Sequence, residues 1–338
     1  LRPEGQHGAP PGSLGFPSSM QATTRPCRSC EGWFLLQAVH TQSRIEYAAA
    51  TRTRNPASPI GAAVPVSQSH EKDRTMLLPF LASTISPPES VAVEGAIDFL
   101  HRVGALDQDR LTALGRYLSM IPADLRCAKL MVYGSIFGCI DACVTISAIL
   151  TVKSPFISPR DKRDEADAAK ASFSKCDGDL LTDLAAYQQW SERTKAQGYW
   201  QTQSWCSANF LSHQTLRDIS SNRAQFISSL KDAGILPVDY SDSEPSSAWN
   251  RNNGNRSLLR AIIAGAFQPQ VAQISFPDKK FASSVTGTVE IDPDARTIKY
   301  FNQENGRVFI HPSSLLFSAQ SYSGAAAYLS YFTKMATS

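Results

Sequence analysis

Apolar residues recur at three- and four-residue intervals through the middle of the chain and at two-residue intervals near its end. The first spacing puts apolar side chains on one face of a helix, and the second puts them on one face of a strand. The pattern predicts helices over residues 89–103, 109–120, 125–137, 140–150, 179–190, 209–230 and 258–267. It predicts strands over residues 271–274, 281–291, 297–302 and 308–311. We therefore expect an α+β fold with an all-helical middle and a mainly β end.

Two polar stretches interrupt these elements. Residues 160–165 (RDKRDE) mix charges of both signs, which is typical of a solvated loop that leads into a helix. Residues 239–254 are rich in Ser, Asn and Asp, so we expect a linker or an exposed loop there. Gly104 follows the last apolar turn of the first helix and should end it.

Residues 1–75 keep neither period for long and contain eight prolines and six glycines. Such a segment buries too little apolar surface to offset its conformational entropy. We expect residues 1–75 to be disordered, or to be an aberrant segment produced by a reading-frame or gene-model error. Because the first residue is Leu, we also expect the chain to be a fragment.

Composition excludes two broad classes of protein. Hydrophobic residues make up 42% of the chain, enough for a core, so a wholly disordered protein is excluded. No apolar run approaches the ~20 residues of a membrane span, so we expect no membrane partner. Seven scattered cysteines, an odd number, indicate reduced thiols and an intracellular location, cytoplasmic or nuclear. The formal net charge of +3 is too small to identify a polyanionic partner.

The sequence offers no self-contained catalytic or metal site. It has no G-x-x-x-x-G-K-[ST] phosphate loop and no G-x-S-x-G nucleophile elbow, and we expect no D-E-x-H or similar acidic Mg²⁺ motif. Cys27 and Cys30 have the spacing of zinc ligands, but a structural site needs a second pair that is missing here. His101, His213 and His311 fall in unrelated elements. These residues by themselves indicate a binding or accessory module.

Several short motifs follow one another in a specific order. They are residues 111–122 (LTALGRYLSMIP), 126–129 (RCAK), 134–141 (GSIFGCID), 153–156 (KSPF), 262–267 (IIAGAF) and 311–314 (HPSS). The series resembles the C-terminal region of DEAH-box (RHA-like) RNA helicases, from the end of the winged helix through the helicase-associated ratchet domain to the OB-fold. The resemblance extends from about residue 79 to the end of the chain.

The resemblance implies three units. They are a partial winged helix over residues 76–122, a ratchet helical bundle over 123–236, and an OB-fold β-barrel over 237–338 that is cut short at its C-terminal end. It also implies packing roles for five residues of the motifs. The glycines would allow helices to approach closely and the prolines would end elements: Gly115, Pro122, Gly134, Gly138 and Pro155.

By the same resemblance, the OB-fold would bind single-stranded RNA weakly. Lys279, Lys280 and Lys299 are the residues expected to contact phosphates, and Tyr300 or Phe301 would stack on bases. The alternative is that these lysines only provide solubility. One of the two aromatic residues is expected in the core.

The function implied is that of an accessory region of an ATP-dependent RNA helicase, which contributes to the RNA channel. The RecA-like helicase core of the parent protein would be a further partner of this chain. That core would bind ATP and Mg²⁺, and we expect no cofactor in this chain. The arginine-glycine motif that ends the second RecA-like domain is missing from residues 1–75, so we expect no ATP hydrolysis by the chain alone. The alternative is an adaptor that binds a protein partner, such as a glycine-rich activator protein, through the OB-fold.

Overall fold

The computed structural model describes residues 90–108, 110–174, 178–241, 247–277, 280–284, 287–291, 294–303, 306–322 and 326–335. The predictions for residues 1–75, for Cys27 and Cys30, and for Lys279 lie outside these residues. Strands at residues 280–284 and 287–291 are described by their backbone alone, so the side chain of Lys280 is outside the description as well.

Helices fill the first two thirds of the described chain, and strands dominate the remainder. The helices are α1 (Ser90–Val103), α2 (Ala113–Met120), α3 (Leu125–Phe137), α4 (Ile140–Val152), α5 (Arg163–Phe173), α6 (Asp179–Gln197), α7 (Tyr199–Ala208), α8 (His213–Asp232) and α9 (Arg256–Phe267). The strands are β1 (Leu106–Asp107), β2 (Arg110–Leu111), β3 (Val271–Ser275), β4 (Lys280–Ser284), β5 (Gly287–Ile291), β6 (Lys299–Asn302), β7 (Gly306–Val308) and β8 (Tyr328–Ser330). The predicted α+β class is confirmed.

The first unit differs from its prediction at the start of α2. Residues 110–111 form strand β2 and pair with β1, where the sequence pattern predicts the first turn of a helix over 109–120. Thr112 sets the boundary because its side chain caps α2, accepting a hydrogen bond from the Gly115 amide at 2.9 Å. The same hydroxyl donates to the Gly104 carbonyl oxygen at 2.8 Å, which ties the hairpin to α1. α1 ends at Gly104 as predicted, with a φ of +84°.

Helices α3 and α4 form the centre of the bundle. Almost every residue of α4 from Ile140 to Ile149 is buried, as its apolar sequence predicts, because α3, α6 and α8 surround it. Asp124 caps α3 by accepting from the Arg126 amide at 2.9 Å. Two clusters of buried apolar side chains meet along this pair of helices, one toward α1, α2 and α8 and the other toward α6 and α9.

The polar stretch over residues 239–254 is not simply an exposed loop. Asn250 is buried, and its side-chain oxygen accepts from the backbone amide of Asp141 at 3.1 Å. Asn253 accepts from the Ala142 amide at 3.3 Å. The α4 N-cap residue, Cys139, makes no side-chain cap bond, so this loop from a distant part of the sequence supplies the cap.

The largest differences from the predicted helical boundaries after α4 involve α5 to α8. The charged run at 160–165 leads into α5 as predicted, and the helix begins inside it at Arg163. α6 continues seven residues beyond the predicted end at Trp190, to Gln197. α7 was not predicted, and α8 begins at His213, after a turn in which Phe210 has a φ of +54°.

The β region contains a four-stranded antiparallel sheet in the order β7-β6-β3-β8 and a separate hairpin of β4 and β5. The predicted single strand over 281–291 is this hairpin, and the strand predicted over 308–311 lies earlier, at Gly306–Val308. The edge strands β7 and β8 are not paired with each other, so the described strands do not form a closed barrel. None of the described helices has the length and apolar character needed to cross a membrane.

Candidate nucleic-acid interface

The four-stranded sheet has one buried and one exposed face. Ala272, Ile274 and Tyr300 point into a small apolar core shared with residues such as Ile298 and Leu329. In β6 burial alternates along the strand, with Lys299 and Phe301 on the exposed face. The alternation follows from the pleat of a strand, which directs successive side chains to opposite faces.

Four exposed side chains form one row across all four strands. In the register of the sheet Phe301 lies opposite Arg307 and Gln273, and Gln273 lies opposite Tyr328 on its other side. Directly opposed residues share a face, so the binding row, as we call it, reads Arg307, Phe301, Gln273, Tyr328. With neighbouring strands about 4.8 Å apart, the row spans about 14 Å.

The chemistry of this face is aromatic and cationic. Phe301 is 39% exposed and Tyr328 is 61% exposed. Arg307 lies next to Phe301, and its guanidinium carbon is 4.8 Å from the centre of the exposed Phe309 ring. Lys299 lies on the same face, one row further along β6 and opposite Ser275. Within the described strands of this sheet there is no Asp or Glu.

The predicted RNA-binding residues fall in different places. Lys299 is exposed beside the binding row, and its role in phosphate contact stays a prediction. Tyr300 is 8% exposed on the buried face, where its hydroxyl lies 2.5 Å from that of Tyr322, so it is a poor candidate for base stacking. Burial, followed by the hydrogen bond with Tyr300, raises the pKa of Tyr322. Lys280 belongs to β4, in the separate hairpin.

Sequence reasoning missed three residues of the row. Gln273, Arg307 and Tyr328 gain their common position only from strand pairing between segments up to 59 positions apart in the sequence, as between Val271 and Ser330. The alternation of residues 271–274 could have indicated Gln273 as exposed, but nothing local links it to Tyr328.

The HPSS motif meets the helical bundle at the start of α6. Asp179 accepts a hydrogen bond from the Ser314 hydroxyl at 2.5 Å and from the Leu315 amide at 3.1 Å, so it holds the HPSS turn, which lies between β7 and β8 in the sequence. Lys170 of α5 completes this junction, with its ammonium 2.7 Å from Asp179 and 3.2 Å from the Ser313 carbonyl oxygen. The turn therefore fastens the sheet to the helical bundle.

Asp183 lies one helical turn further along α6 and is almost fully buried. Burial raises the pKa of Asp183 to about 7, opposed by Lys170 and by a hydrogen bond from Ser154 of the KSPF motif. One of its carboxylate oxygens has no hydrogen-bond partner in the part of the chain that the structure describes. The group is thus a titratable acid beneath the junction rather than a metal ligand in a cluster.

The five signature residues lie at close contacts or at the ends of elements. A Cβ on Gly115 would lie 2.2 Å from the Ala105 carbonyl oxygen, and one on Gly134 would lie 2.6 Å from the Cys143 Cβ, so the backbone is closely approached at both positions. Gly138 is not a helix-interior contact like Gly134. It ends α3 in the left-handed region, with a φ of +68°.

The two signature prolines lie at the ends of elements. Pro122 follows the end of α2 at Met120. Pro155 is buried after α4, and its carbonyl oxygen accepts from the Ser212 amide at 2.9 Å.

The other reactive side chains are buried or dispersed. Cys127, Cys139, Cys143 and Cys206 are free and buried. Burial raises the pKa of each thiol, to about 11 for Cys206, so thiolate chemistry is disfavoured. His213 accepts a hydrogen bond from the Trp190 indole at 3.0 Å, and burial followed by Arg217 lowers its pKa. His101 and His311 lie in other elements.

An acidic tetrapeptide, Asp164-Glu165-Ala166-Asp167, also occurs, although no D-E-x-H does. The structure places it in the first turns of α5 with all three carboxylates exposed. Acidic residues stabilise the N-terminal turn of a helix, which accounts for them there. Among the described residues, no group of His, Cys, Asp and Glu side chains could hold a metal ion.

Comparison with known proteins agrees with the order of motifs. Residues 124–182, from the cap of α3 into α6, match the helicase-associated domain (HA2), which is described as ratchet-like. A Mycosarcoma maydis protein named as a DEAH-box ATP-dependent helicase is 38% identical over 271 residues, 76% of this chain and 17% of that protein.

Two further relatives match a similar share of this chain. A Schizosaccharomyces pombe protein named as an ATP-dependent RNA helicase is 36% identical over 76% of this chain and 19% of its own length. A human ATP-dependent RNA helicase is 29% identical over 70% of this chain and 17% of its own length. The chain thus spans less than a fifth of each of these relatives. Over most of its length the chain is similar to a part of these helicases, and residues 124–182 carry the helicase-associated, ratchet-like domain, as its motifs predict.

Proposed function

We propose that this chain is an accessory region of an ATP-dependent RNA helicase and that it binds single-stranded RNA on the exposed face of its four-stranded sheet. The observation that carries the proposal is the binding row, which combines Phe301 and Tyr328 with the cation of Arg307. Proteins that hold single strands without sequence preference use this combination of aromatic platforms and cations. Lys299 adds a second cation to the same face.

The relatives support the choice of RNA as the ligand. Their names describe RNA helicases. This chain also carries the ratchet-like domain, which contacts the ends of β3 and β8 through Arg126. In this proposal α1, the β1–β2 hairpin and α2 are part of a winged helix, and the sheet with the β4–β5 hairpin belongs to an OB-fold. ATP and Mg²⁺ bind a RecA-like core outside the described residues, and the protein works inside the cell, in the cytoplasm or the nucleus.

The test is a titration of labelled single-stranded RNA of about 12 nucleotides with the complete chain. Phe301→Ala should weaken binding about tenfold, because a base stacked on an aromatic ring contributes roughly 1–3 kcal/mol. The matched control is Trp200→Ala, which removes an exposed aromatic ring from α7 and should leave the affinity unchanged. Equal affinities of wild type and Phe301→Ala would rule out the sheet face as the site.

The rival function is a protein-binding adaptor, for example for a glycine-rich activator protein. The exposed rings of Phe309 and Tyr328 are of a kind that also anchors protein partners. The two functions differ in their response to salt. RNA binding should weaken steeply between about 50 and 200 mM salt, whereas binding of an uncharged partner should not.

A further inference from the structure

We propose that Arg126 is the positioning residue of the binding row: from the helical bundle it orients strands β3 and β8 without touching RNA. The inference rests on the proposed function, since it explains how that face is held. It begins with a buried cation that packing alone does not require.

Arg126 lies in the first turn of α3 and is only 6% exposed. The Asp124 carboxylate accepts two hydrogen bonds of 2.9 Å from the guanidinium, one from Nε and one from a terminal nitrogen. This bidentate pairing fixes the plane of the guanidinium, which a lysine ammonium cannot reproduce. The direction of the remaining nitrogen is therefore set by the start of α3.

That remaining nitrogen reaches into the β region. It donates to the side-chain oxygen of Gln270 at 2.5 Å and to the backbone oxygen of Phe332. The guanidinium carbon also lies 3.9 Å from the centre of the Phe332 ring. Gln270 directly precedes β3, and Phe332 follows β8 by two residues.

These two contacts hold the neighbouring strands that carry half of the binding row. The Tyr331 amide donates to the Gln270 carbonyl oxygen at 3.1 Å, so the ends of β3 and β8 are joined where Arg126 binds. Gln273 is three residues from Gln270, about 10 Å along the strand, and Tyr328 is four residues from Phe332. Arg126 is buried and binds the strand ends rather than the exposed face, so it fixes the strands that present the binding row.

Apolar contacts, rather than Arg126, account for the packing of the helical bundle against the β region. The Phe267 ring of α9 packs on Phe332 with 5.5 Å between ring centres, and apolar contacts of this kind need no buried charge. Replacing a buried ion pair by apolar residues is often neutral or stabilising, so the pair is poorly explained by stability. The hydrogen bonds that Arg126 donates to both strand ends explain the buried pair, because they fix the orientation of β3 and β8.

A matched control exists within the same chain. Arg223 of α8 is also buried and paired with a carboxylate, Asp141, and its nearest ring is Tyr187 of α6. All three of these residues belong to the helical bundle. Arg223→Lys should therefore impose a comparable loss of stability without disturbing the sheet.

The experiment compares Arg126→Lys, Arg223→Lys and Phe301→Ala in the complete chain. It measures thermal stability, affinity for single-stranded RNA at several salt concentrations, and the emission of 2-aminopurine in the RNA, which stacking on a ring quenches. Arg126→Lys should weaken binding about tenfold and reduce the quenching, with an unchanged salt slope because Lys299 and Arg307 remain. Arg223→Lys should leave all RNA readouts at wild-type values.

Each other outcome has a definite meaning. Equal RNA readouts for Arg126→Lys and Arg223→Lys would overturn the positioning role while the effect of Phe301→Ala preserves the proposed function. Because lysine keeps the positive charge, Arg126→Lys changes geometry alone. A lower salt slope in Arg126→Gln, which removes the charge, would show a direct phosphate contact and also overturn the positioning role. Failure of the wild type to bind, or an inert Phe301→Ala, would remove the proposed function and this inference with it.

A milder variant covers the case in which Arg126→Lys does not fold. Gln270→Met keeps the arginine and its carboxylate but removes one of the two bonds to the strand ends. It should weaken RNA binding about threefold with the salt slope unchanged. Wild-type affinity in a folded Gln270→Met would also overturn the proposal.

Discussion

Gly138 combines two constraints that no other residue type meets. Its φ of +68° lies in the left-handed region, and a Cβ there would lie 2.9 Å from the Ala248 carbonyl oxygen. We predict that Gly138→Leu destabilises the chain by about 1–3 kcal/mol, through backbone strain and through displacement of the loop that caps α4. A thermal or urea melt measures the loss.

Gly234 separates these two causes. It has a φ of +69°, but a Cβ there would find no atom within 4 Å. Gly234→Leu therefore incurs the strain without the collision, and it should cost less than Gly138→Leu. Equal losses of stability in Gly138→Leu and Gly234→Leu would show that the loop that caps α4 moves aside at no cost in free energy.

Asp183 makes the stability of the folded chain depend on pH. Burial raises the pKa of Asp183 from 3.8 to about 7. Between about pH 4 and 7 the carboxyl is therefore protonated in the folded state and ionised in the unfolded state. This contribution to stability is complete below pH 3.8 and is lost as the pH rises toward 7. We predict that Asp183→Asn, which resembles the protonated acid, gains stability relative to wild type across that interval, by a few kcal/mol at most.

Urea melts at several pH values check this prediction. Asp167→Asn removes an exposed carboxylate from α5 and is the control for a general effect of charge. A constant difference between Asp183→Asn and wild type from acid to neutral pH would contradict the assignment.

At the scale of elements, local sequence predicted those helices whose own residues decide their ends. The predicted helix over 125–137 is α3, because Pro122 and Gly138 flank a continuous apolar pattern. α7 (YWQTQSWCSA) escaped prediction because its polar residues break the helical period, and contacts such as that between Tyr199 and His213 hold it in place. Its existence depends on α8, which a local pattern does not contain.

Strand β6 also shows what local sequence does not predict, namely which face of the strand is buried. A period of two identifies a strand but not which of its faces is buried. The buried set is Ile298, Tyr300 and Asn302, and it includes a polar residue whose amide donates to the Tyr331 hydroxyl at 3.1 Å. The sequence thus predicted an aromatic and a cationic residue on this strand, whereas strand pairing decides that Phe301 rather than Tyr300 faces outward.

Strand β6 also carries a prediction for phosphate binding. Lys299→Ala should reduce the slope of log affinity against log salt by about 0.7, the value for one phosphate contact on a single strand. Lys195→Ala, an exposed lysine near the far end of α6, should leave the slope unchanged. An unaltered slope in Lys299→Ala would mean that this lysine serves solubility alone.

At the scale of the whole molecule, the chain corresponds to less than a fifth of the helicases it resembles. The described residues form a helical bundle with a sheet attached to it at several places, among them Arg126, Asp179 and the Phe267–Phe332 ring contact. In the proposed function such a unit holds and orients an RNA strand. ATP turnover requires different groups: a phosphate-binding lysine, carboxylates that bind Mg²⁺, and arginines that stabilise the transferring phosphoryl group.

We predict that the purified chain shows no ATP turnover above background, with or without RNA. The sequence contains no G-x-x-x-x-G-K-[ST] loop, and the carboxylates of residues 164–167 lie exposed on α5, away from any phosphate-binding loop. The measurement is phosphate release with Mg²⁺ and ATP, at protein concentrations where single-stranded RNA is bound. The control is the same assay after adding a helicase core from a relative, which supplies the missing groups. Turnover by the chain alone, in proportion to its concentration and stimulated by RNA, would show that a nucleotide site exists that none of the residues identified above can form.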